Sequence, residues 1–418
     1  MRREKFVTFP NYFFIPLSLD KFVQDASSRG WFCVFVPGFV LGRVERFSSM
    51  ESDSDSSTST EISDGWYDGV RQYDPVQSSL IPGLPDDITF FCLARVPRKY
   101  HAVLKCVSKR WRDLVSSEEW YLYRKKHHLE ETWIYALCKD ELDHLGCYVL
   151  DPNRLLSGWK RIQGLPGCCK RRRGMGFEVL GKRVYLIGGC GYIEDATNEA
   201  YCYDAGTNCW SEAARLPVAR CYFACQAVDN KIFAIGGSDP GSSNLQSLDA
   251  YDPQTNCWNS HVDPNVLDDI EDSVVLDGKI YVRCGSSAVS SHVYAVAYEP
   301  SSGTWEQAAP DMVMGWRGPA IVVNGTLYVL NQTSGTQLIM WQKDTRQWIS
   351  VRRFSSKWTR PPCRLVAIGE DILIIGKGLS TMVFSTKNAG KMDGIMLSSS
   401  FRGLNSDLEV INCRSIAV

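Results

Sequence analysis

Residues 180–189 read LGKRVYLIGG, and the same signature returns as VDNKIFAIGG at 228–237, LDGKIYVRCG at 276–285, VNGTLYVLNQ at 323–332 and IGEDILIIGK at 368–377. Aligned on these stretches, Val184, Ile232, Ile280, Leu327 and Ile372 recur at separations of 48, 48, 47 and 45 residues. Independent landmarks keep the period. Trp210, Trp258, Trp305 and Trp348 stand 48, 47 and 43 apart, and Tyr203-Asp204, Tyr251-Asp252 and Tyr298-Glu299 stand 48 and 47 apart. A fixed period of this length marks a repeated supersecondary unit. Each unit reads as four short strands: an apolar strand, a tight turn at Gly181, Asp277-Gly278 or Asn324-Gly325, the VYLIGG-type strand, a YxYD strand and a strand carrying the Trp. One such sheet cannot bury its own faces, so units stack around an axis with a large aromatic wedged between neighbours, which is a β-propeller.

Trp133 to Val418 is 286 residues, enough for six units of about 48. Ahead of the first full unit lies a partial one, WIYALCKD, CYVLDP and GWKRI, with Tyr148, Asp151 and Trp159 at the third- and fourth-strand positions and no leading strand. LEVINCRSIAV at 408–418 can supply that strand, pairing the two ends of the repeat region and removing exposed edges. The fifth signature keeps a single glycine, Gly376, which leaves five or seven blades as alternatives to six.

Upstream, residues 80–129 follow a helical pattern instead. Pro85 with Asp86 and Asp87 suits a helix start, because proline needs no donor there and carboxylates complement the helix dipole. Ile88, Phe91 and Cys92 then keep helical spacing up to Pro97. A second helix is expected from about Tyr100 to Val115, with Val103, Leu104, Val107, Trp111, Leu114 and Val115 on one face, and a third from Ser117 carrying Trp120. Three short helices bury little by themselves, so an apolar face is left for a partner. Residues 1–79 form an extension expected to be poorly ordered, aromatic-rich up to 49 and then Ser/Asp/Glu-rich. Met50 is the expected biological start, a transit peptide being the rival reading that the acidic run disfavours.

The chain is mixed in class, a small all-α unit at 80–129 followed by an all-β propeller at 130–418. With 46 basic and 47 acidic residues its net charge is −1, which gives no global electrostatic argument for nucleic acid or membrane binding. The 16 cysteines form no CxxC pair and sit in apolar settings such as Cys92, Cys106 and Cys225, pointing to reduced thiols and to cytoplasm or nucleus. The apolar stretch from Trp31 to Leu41 is interrupted by Pro and Gly and is too short to span a bilayer. Asn324-Gly325-Thr326 and Asn331-Gln332-Thr333 match the glycosylation pattern by chance if the chain is not secreted.

IPGLPDDITFFCLARVPRKYHAVLKCVSKRWRDLV, Ile81 to Val115, resembles the F-box, and the Gly-Gly, Tyr-Asp and Trp repeats resemble kelch motifs. Together, from about Leu80 to Val418, they resemble plant F-box/kelch-repeat proteins of the Skp-interacting-partner group. The resemblance implies a non-catalytic substrate-recognition subunit of a Skp-cullin-F-box ubiquitin ligase. In such a complex a Skp-type adaptor joins the F-box to cullin and RING subunits, and the propeller holds an unknown protein substrate. It carries no cofactor, and neither nucleic acid nor membrane is implied as a partner. Carried over by position, Leu84, Pro85, Ile88, Leu93, Val96, Pro97, Leu104, Val107, Ser108, Trp111 and Leu114 are the adaptor-binding candidates, some of which must instead hold the helices together.

In kelch domains, loops just before the innermost strands surround the channel mouth. The matching positions are Arg173, Arg220, Glu271 or Asp272, Trp316, Arg317 and Arg364. Recurring arginines with a tryptophan suit a partner bearing carboxylates or phosphate, and the competing reading is that they cap strand ends. The run Lys170 to Arg173 resembles a nuclear-import cluster but is also what a solvated turn would carry. Cys168-Cys169 lacks the ligand spacing of a zinc site. Two other classes stand against the ligase expectation: a kelch scaffold that never meets a cullin, and a galactose-oxidase-like copper enzyme. The six His are too scattered to converge on a metal, four of them preceding the full repeats, and no hydrolase triad or phosphate loop is evident.

Overall fold

The computed structural model describes residues 33–36, 39–43, 79–192, 195–238, 247–262, 267, 269–285, 293–332, 335–355, 359–386 and 407–418. The chain divides into two compact units, Met1–Leu129 and Glu130–Val418. In the amino-terminal extension, Cys33–Val36 pairs with Phe39–Arg43 as an antiparallel two-stranded ribbon. The rest of the extension up to residue 78, including Met50 and the acidic run, lies outside the described residues.

Among the described residues the helical unit holds four α-helices: α1 (Asp86–Ala94), α2 (His101–Val107), α3 (Lys109–Ser116) and α4 (Glu118–Lys126). Three helices were expected, and the second is in fact two. Ser108 drops into extended backbone and its Oγ accepts from Trp111 N at 3.1 Å, so it ends α2 and caps α3. Ser117 does the same for α4 through Trp120 N at 3.1 Å. Pro85 precedes α1 rather than opening it, with Asp86 and Asp87 in the first turn. Asp86 also accepts from Leu80 N at 2.6 Å and meets Arg110 at 3.1 Å, tying the entry segment and α3 to the same carboxylate. Leu93, Ala94, Val96, Leu104, Trp111, Val115 and Trp120 form the core with Ile81. Arg124 is buried there and donates to the carbonyls of Ala94 and Val96, satisfying acceptors that α1 leaves open at its end.

The second unit is a ring of six antiparallel sheets. Blade 2 is Gly176–Leu180, Arg183–Ile187, Ala200–Asp204 and Cys209–Ala213, and blade 3 is Ala224–Val228, Lys231–Ile235, Ser247–Asp252 and Cys257–Val262. Blade 4 is Ile270–Leu276, Lys279–Cys284, Tyr294–Glu299 and Thr304–Gln307, and blade 5 is Ala320–Val323, Thr326–Asn331, Thr336–Gln342 and Gln347–Phe354. Blade 6 shows three strands among the described residues, Arg364–Ile368, Asp371–Gly376 and Ser380–Ser385. Blade 1 takes its innermost strand, Glu409–Ala417, from far along the chain and pairs it with Thr132–Lys139, followed by Leu145–Leu150 and Lys160–Arg161. The expected closure by the 408–418 segment is therefore how the ring is made, and the count is six.

Each repeat landmark has a packing role. Tyr203 faces Trp210, Tyr251 faces Trp258 and Tyr298 faces Trp305 across the outer two strands of blades 2, 3 and 4, with ring centres 5.2, 5.2 and 4.9 Å apart. Blade 5 replaces the Tyr with Trp341, 5.4 Å from Trp348. Tyr203 and Tyr251 hydroxyls donate to Asn208 and Asn256, whose left-handed backbones turn the chain between those strands. Apolar clusters fill the gaps between sheets, for example Tyr185, Ile187 and Cys202 of blade 2 with Phe223, Cys225 and Ile232 of blade 3. The Gly188-Gly189 pair (φ 61° and 93°) ends the second strand where blades converge, and a Cβ on Gly188 would lie 2.5 Å from Arg220 O.

Candidate functional site

Two surfaces carry the residues expected to bind partners, one on each unit. In the helical unit, packing sorts the adaptor-binding candidates into two groups. Leu93, Val96, Leu104 and Trp111 are buried in the unit's own core, so they hold the helices together and cannot also face a partner. Ser108 is exposed, but its hydroxyl is spent on the cap of α3. Leu84, Pro97, Val107 and Leu114 are half-buried at the margin of that core, whereas Pro85 and Ile88 are exposed, Ile88 at 45%. The structure adds two that the candidate set omitted, Phe91 on α1 at 44% exposure and Val103 on α2 at 42%. Ile88 and Phe91 lie one turn apart on α1, so a pair of large apolar side chains stands on one helix surface, with the Arg95 guanidinium 3.4 Å from the Phe91 ring centre. Helical spacing had marked Phe91 and Val103 as apolar-face residues; it could not show that their face looks outward.

His101 sits behind this surface, its Nε2 3.1 Å from Val96 O and its ring 5.5 Å from that of Trp120. Burial, and then the charge of Arg124, pushes its pKa down to about 3, so the imidazole is neutral and donates to the carbonyl.

On the ring, the innermost strands meet in a closed circuit joined by polar contacts. Arg414 of blade 1 grips both oxygens of Glu178 of blade 2 at 3.0 Å, Gln226 of blade 3 donates to Ser273 of blade 4 at 2.7 Å, and Arg364 of blade 6 donates to Ile411 O of blade 1 at 2.6 Å. Burial lowers the pKa of Arg414, but the charge and hydrogen bonds of Glu178 outweigh it and the net direction is up.

The expected substrate-binding set divides in the same way. Arg220 is wholly buried: it pairs with Asp249, donates to Ser247 Oγ at 2.6 Å and reaches the carbonyls of Ala234, Gly236 and Ser247 at 3.0–3.3 Å. Trp316 is also fully buried, and its Nε1 donates to Asp272 at 2.9 Å while Ala320 N donates to the same oxygen at 3.0 Å. Burial raises the pKa of Asp272, against the Trp316 hydrogen bond and the charges of Arg283 and Arg364. The assignment of Arg220 and Trp316 to a substrate surface is thus corrected: both are internal fasteners, because each satisfies groups that the meeting of strands would leave stranded in the interior. Arg364 is half-buried and engaged with Ile411, and Arg317 is half-buried, with its Nε on Met314 O at 2.9 Å. Only Arg173 combines wide exposure with a position among other exposed side chains. It meets Asp143 at 2.5 Å and its guanidinium lies 5.1 Å from the ring centre of Tyr192.

Strand pairing also shifts the repeat frame by one residue from the expected match of Arg173 with Arg220. Arg173 pairs with Cys190 as Cys221 pairs with Ser238, so the counterpart of Arg220 is Arg172, which bonds Glu199 at 2.5 Å. Sequence reasoning missed Tyr192 and Tyr222, exposed at 81% and 54%, because no repeat landmark falls on them.

Residues 81–123 match the F-box domain family and residues 157–371 match the family described as FKB95, Kelch-repeats domain. Over 351 residues, covering 83% of this chain and 97% of the relative, the sequence is 48% identical to the F-box/kelch-repeat protein SKIP4 of Arabidopsis thaliana. A second Arabidopsis F-box/kelch-repeat protein is 35% identical over 166 residues (37% of this chain, 41% of the relative), and SKIP30 of the same plant is 24% identical over 353 residues (81% and 95%). A helical F-box segment, a six-bladed kelch ring behind it in sequence and an end-to-end relative with the same two parts place this chain in the family of F-box/kelch-repeat proteins.

Proposed function

We propose that this chain is the substrate-recognition subunit of a Skp-cullin-F-box ubiquitin ligase, with α1 and α2 docking on a Skp-type adaptor and the ring holding the protein to be ubiquitinated. The observation that carries the reading is the exposure of Ile88 and Phe91 on α1, with Val103 on α2, in a unit that already has a complete core. Apolar side chains of that size left in water on a self-contained module mark a surface built to be covered. The chain then contributes no catalytic group. It works by holding substrate and charged ubiquitin carrier on one frame, which raises the effective concentration of one at the other.

Replacing Ile88 and Phe91 with Asp in the full chain should weaken capture of a purified Skp-type adaptor by at least about tenfold, as expected for apolar anchors in an interface. Because both positions are exposed, the melting temperature should stay within a degree or two of the parent. Undiminished capture by a folded double variant would refute the docking surface.

A further inference from the structure

Among the described residues, large exposed side chains at the end of the ring where the inner strands begin include three on blades 1 and 2 and the connection to blade 3. Leu142 is 74% exposed in the turn between the second and third strands of blade 1, Tyr192 is 81% exposed between the second and third strands of blade 2, and Tyr222 is 54% exposed on the connection from blade 2 to blade 3. Arg173 links the first two, with its guanidinium near the Tyr192 ring and bonded to Asp143 beside Leu142. Tyr222 packs over the neighbouring Gly174, where an added Cβ would come within 2.8 Å of the tyrosine Cγ.

The backbone of Tyr222 is left-handed (φ 54°), a conformation that bulky residues rarely adopt. Its flanks hold it there: Tyr222 N donates to Gly174 O at 2.9 Å, Cys221 is bridged to Ser238, and Arg220 is locked in the interior. The core gains little from this tyrosine, since more than half of it faces solvent. A rigid segment thus presents an aromatic ring outward, and tyrosine and arginine are the residue types that dominate binding energy when a partner covers them. The cations beside the rings say what kind of partner, set against the carboxylates Asp140, Glu141 and Asp143 on the turn that carries Leu142. Lys170 meets no carboxylate among the described residues, Arg171 is bonded to the ring of His144 at 3.2 Å, and Arg173 engages Asp143 through one nitrogen.

We infer that this patch binds an extended acidic segment of the protein substrate, with Asp or Glu side chains at Arg173, Lys170 and Arg171 and an apolar side chain against the Tyr192 and Tyr222 rings. The inference rests on the receptor reading given above and names the substrate chemistry for it.

The test is selection of unphosphorylated random peptides displayed on phage against the purified full chain, followed by affinity measurement of one enriched synthetic peptide with variants. Enriched peptides should combine several Asp or Glu with an aromatic or long aliphatic residue, and should bind Arg173→Glu and Tyr192→Ala at least about tenfold more weakly than the parent. Enrichment without an acidic excess, or equal binding to both variants, would overturn the assignment. Tyr222→Gly should weaken binding while leaving the melting temperature unchanged or raised, since glycine accepts φ 54° without strain; a drop of many degrees would make the ring a structural element and overturn its role. Adaptor capture is measured on the same samples. Its failure in the parent chain refutes the ligase reading alone, and failed peptide binding beside intact capture refutes only the patch.

Discussion

The helical unit and the ring treat polar burial in opposite ways. In the helical unit one charged side chain, Arg124, is buried, and it serves carbonyls at a single helix end. The core around it is made of Leu, Val and Trp, and apolar residues are left over for the outside. The ring instead buries Arg220 with Asp249 and Glu178 against Arg414, and joins inner strands through side-chain hydrogen bonds. The difference teaches that helices satisfy their own backbone and need polar help only at the ends, whereas sheets converging on an axis leave carbonyls and chain reversals that side chains must reach. Hence Arg220, Arg364 and Arg414 are structural, and the helical unit's apolar surplus is where docking can occur.

The contrast can be broken most severely at closure. Removing residues 407–418 strips blade 1 of its inner strand and leaves an open edge on Thr132–Lys139; the expected outcome is loss of the ring's cooperative melting transition in calorimetry, with a surviving sharp transition counting against closure as the source of cooperativity. A smaller but still large effect is expected for Arg220→Ala, which strands Asp249 without its charge partner and should cost about 3–5 kcal/mol in denaturant unfolding. Replacing both partners by Met and Leu should restore much of that loss, and a double variant as unstable as the single one would mean that the carbonyl contacts of Arg220, not the ion pair, dominate.

The helical unit should respond to acid through His101. Its folded pKa of about 3 lies below the ordinary 6.5, so the unfolded chain binds a proton that the folded unit refuses. The stabilising contribution is complete above pH 6.5 and is lost progressively as pH falls toward 3. Hydrogen exchange of peptides spanning 86–126 should show protection falling over that window, and falling less steeply in His101→Gln; identical slopes would remove His101 as the cause. The smallest effect is expected at Ser108, where Ala removes the cap of α3 and should cost about 1 kcal/mol, read as faster exchange in 109–116.

How much of this was legible in the chain depends on what each residue does. The strand signatures, the Tyr and Trp pairs and the closing segment could be read directly, because repetition fixes register and the two ends of the ring must pair with each other. The break at Ser108 could not, since Leu104, Val107, Trp111 and Leu114 keep helical spacing straight through it; the serine itself was the signal. Apolar residues of the F-box segment were recognisable as a group, but Leu93 and Ile88 look alike until packing separates them. Arg172 and Arg173 stand side by side in a run of four cations, and only strand pairing reveals that the first belongs to the interior and the second to the surface.

The closing strand has a mechanical consequence. Ala417 pairs with Thr132 and Glu409 with Lys139, and beyond them Glu131 and Val418 exchange two backbone bonds of 2.9 and 3.1 Å. Tension applied between residue 131 and residue 418 therefore loads that last pair first and then each pair in turn, so the strand unzips instead of shearing. A ring whose tolerance of heat draws on all nine residues of the strand yields to a directed pull a pair of bonds at a time.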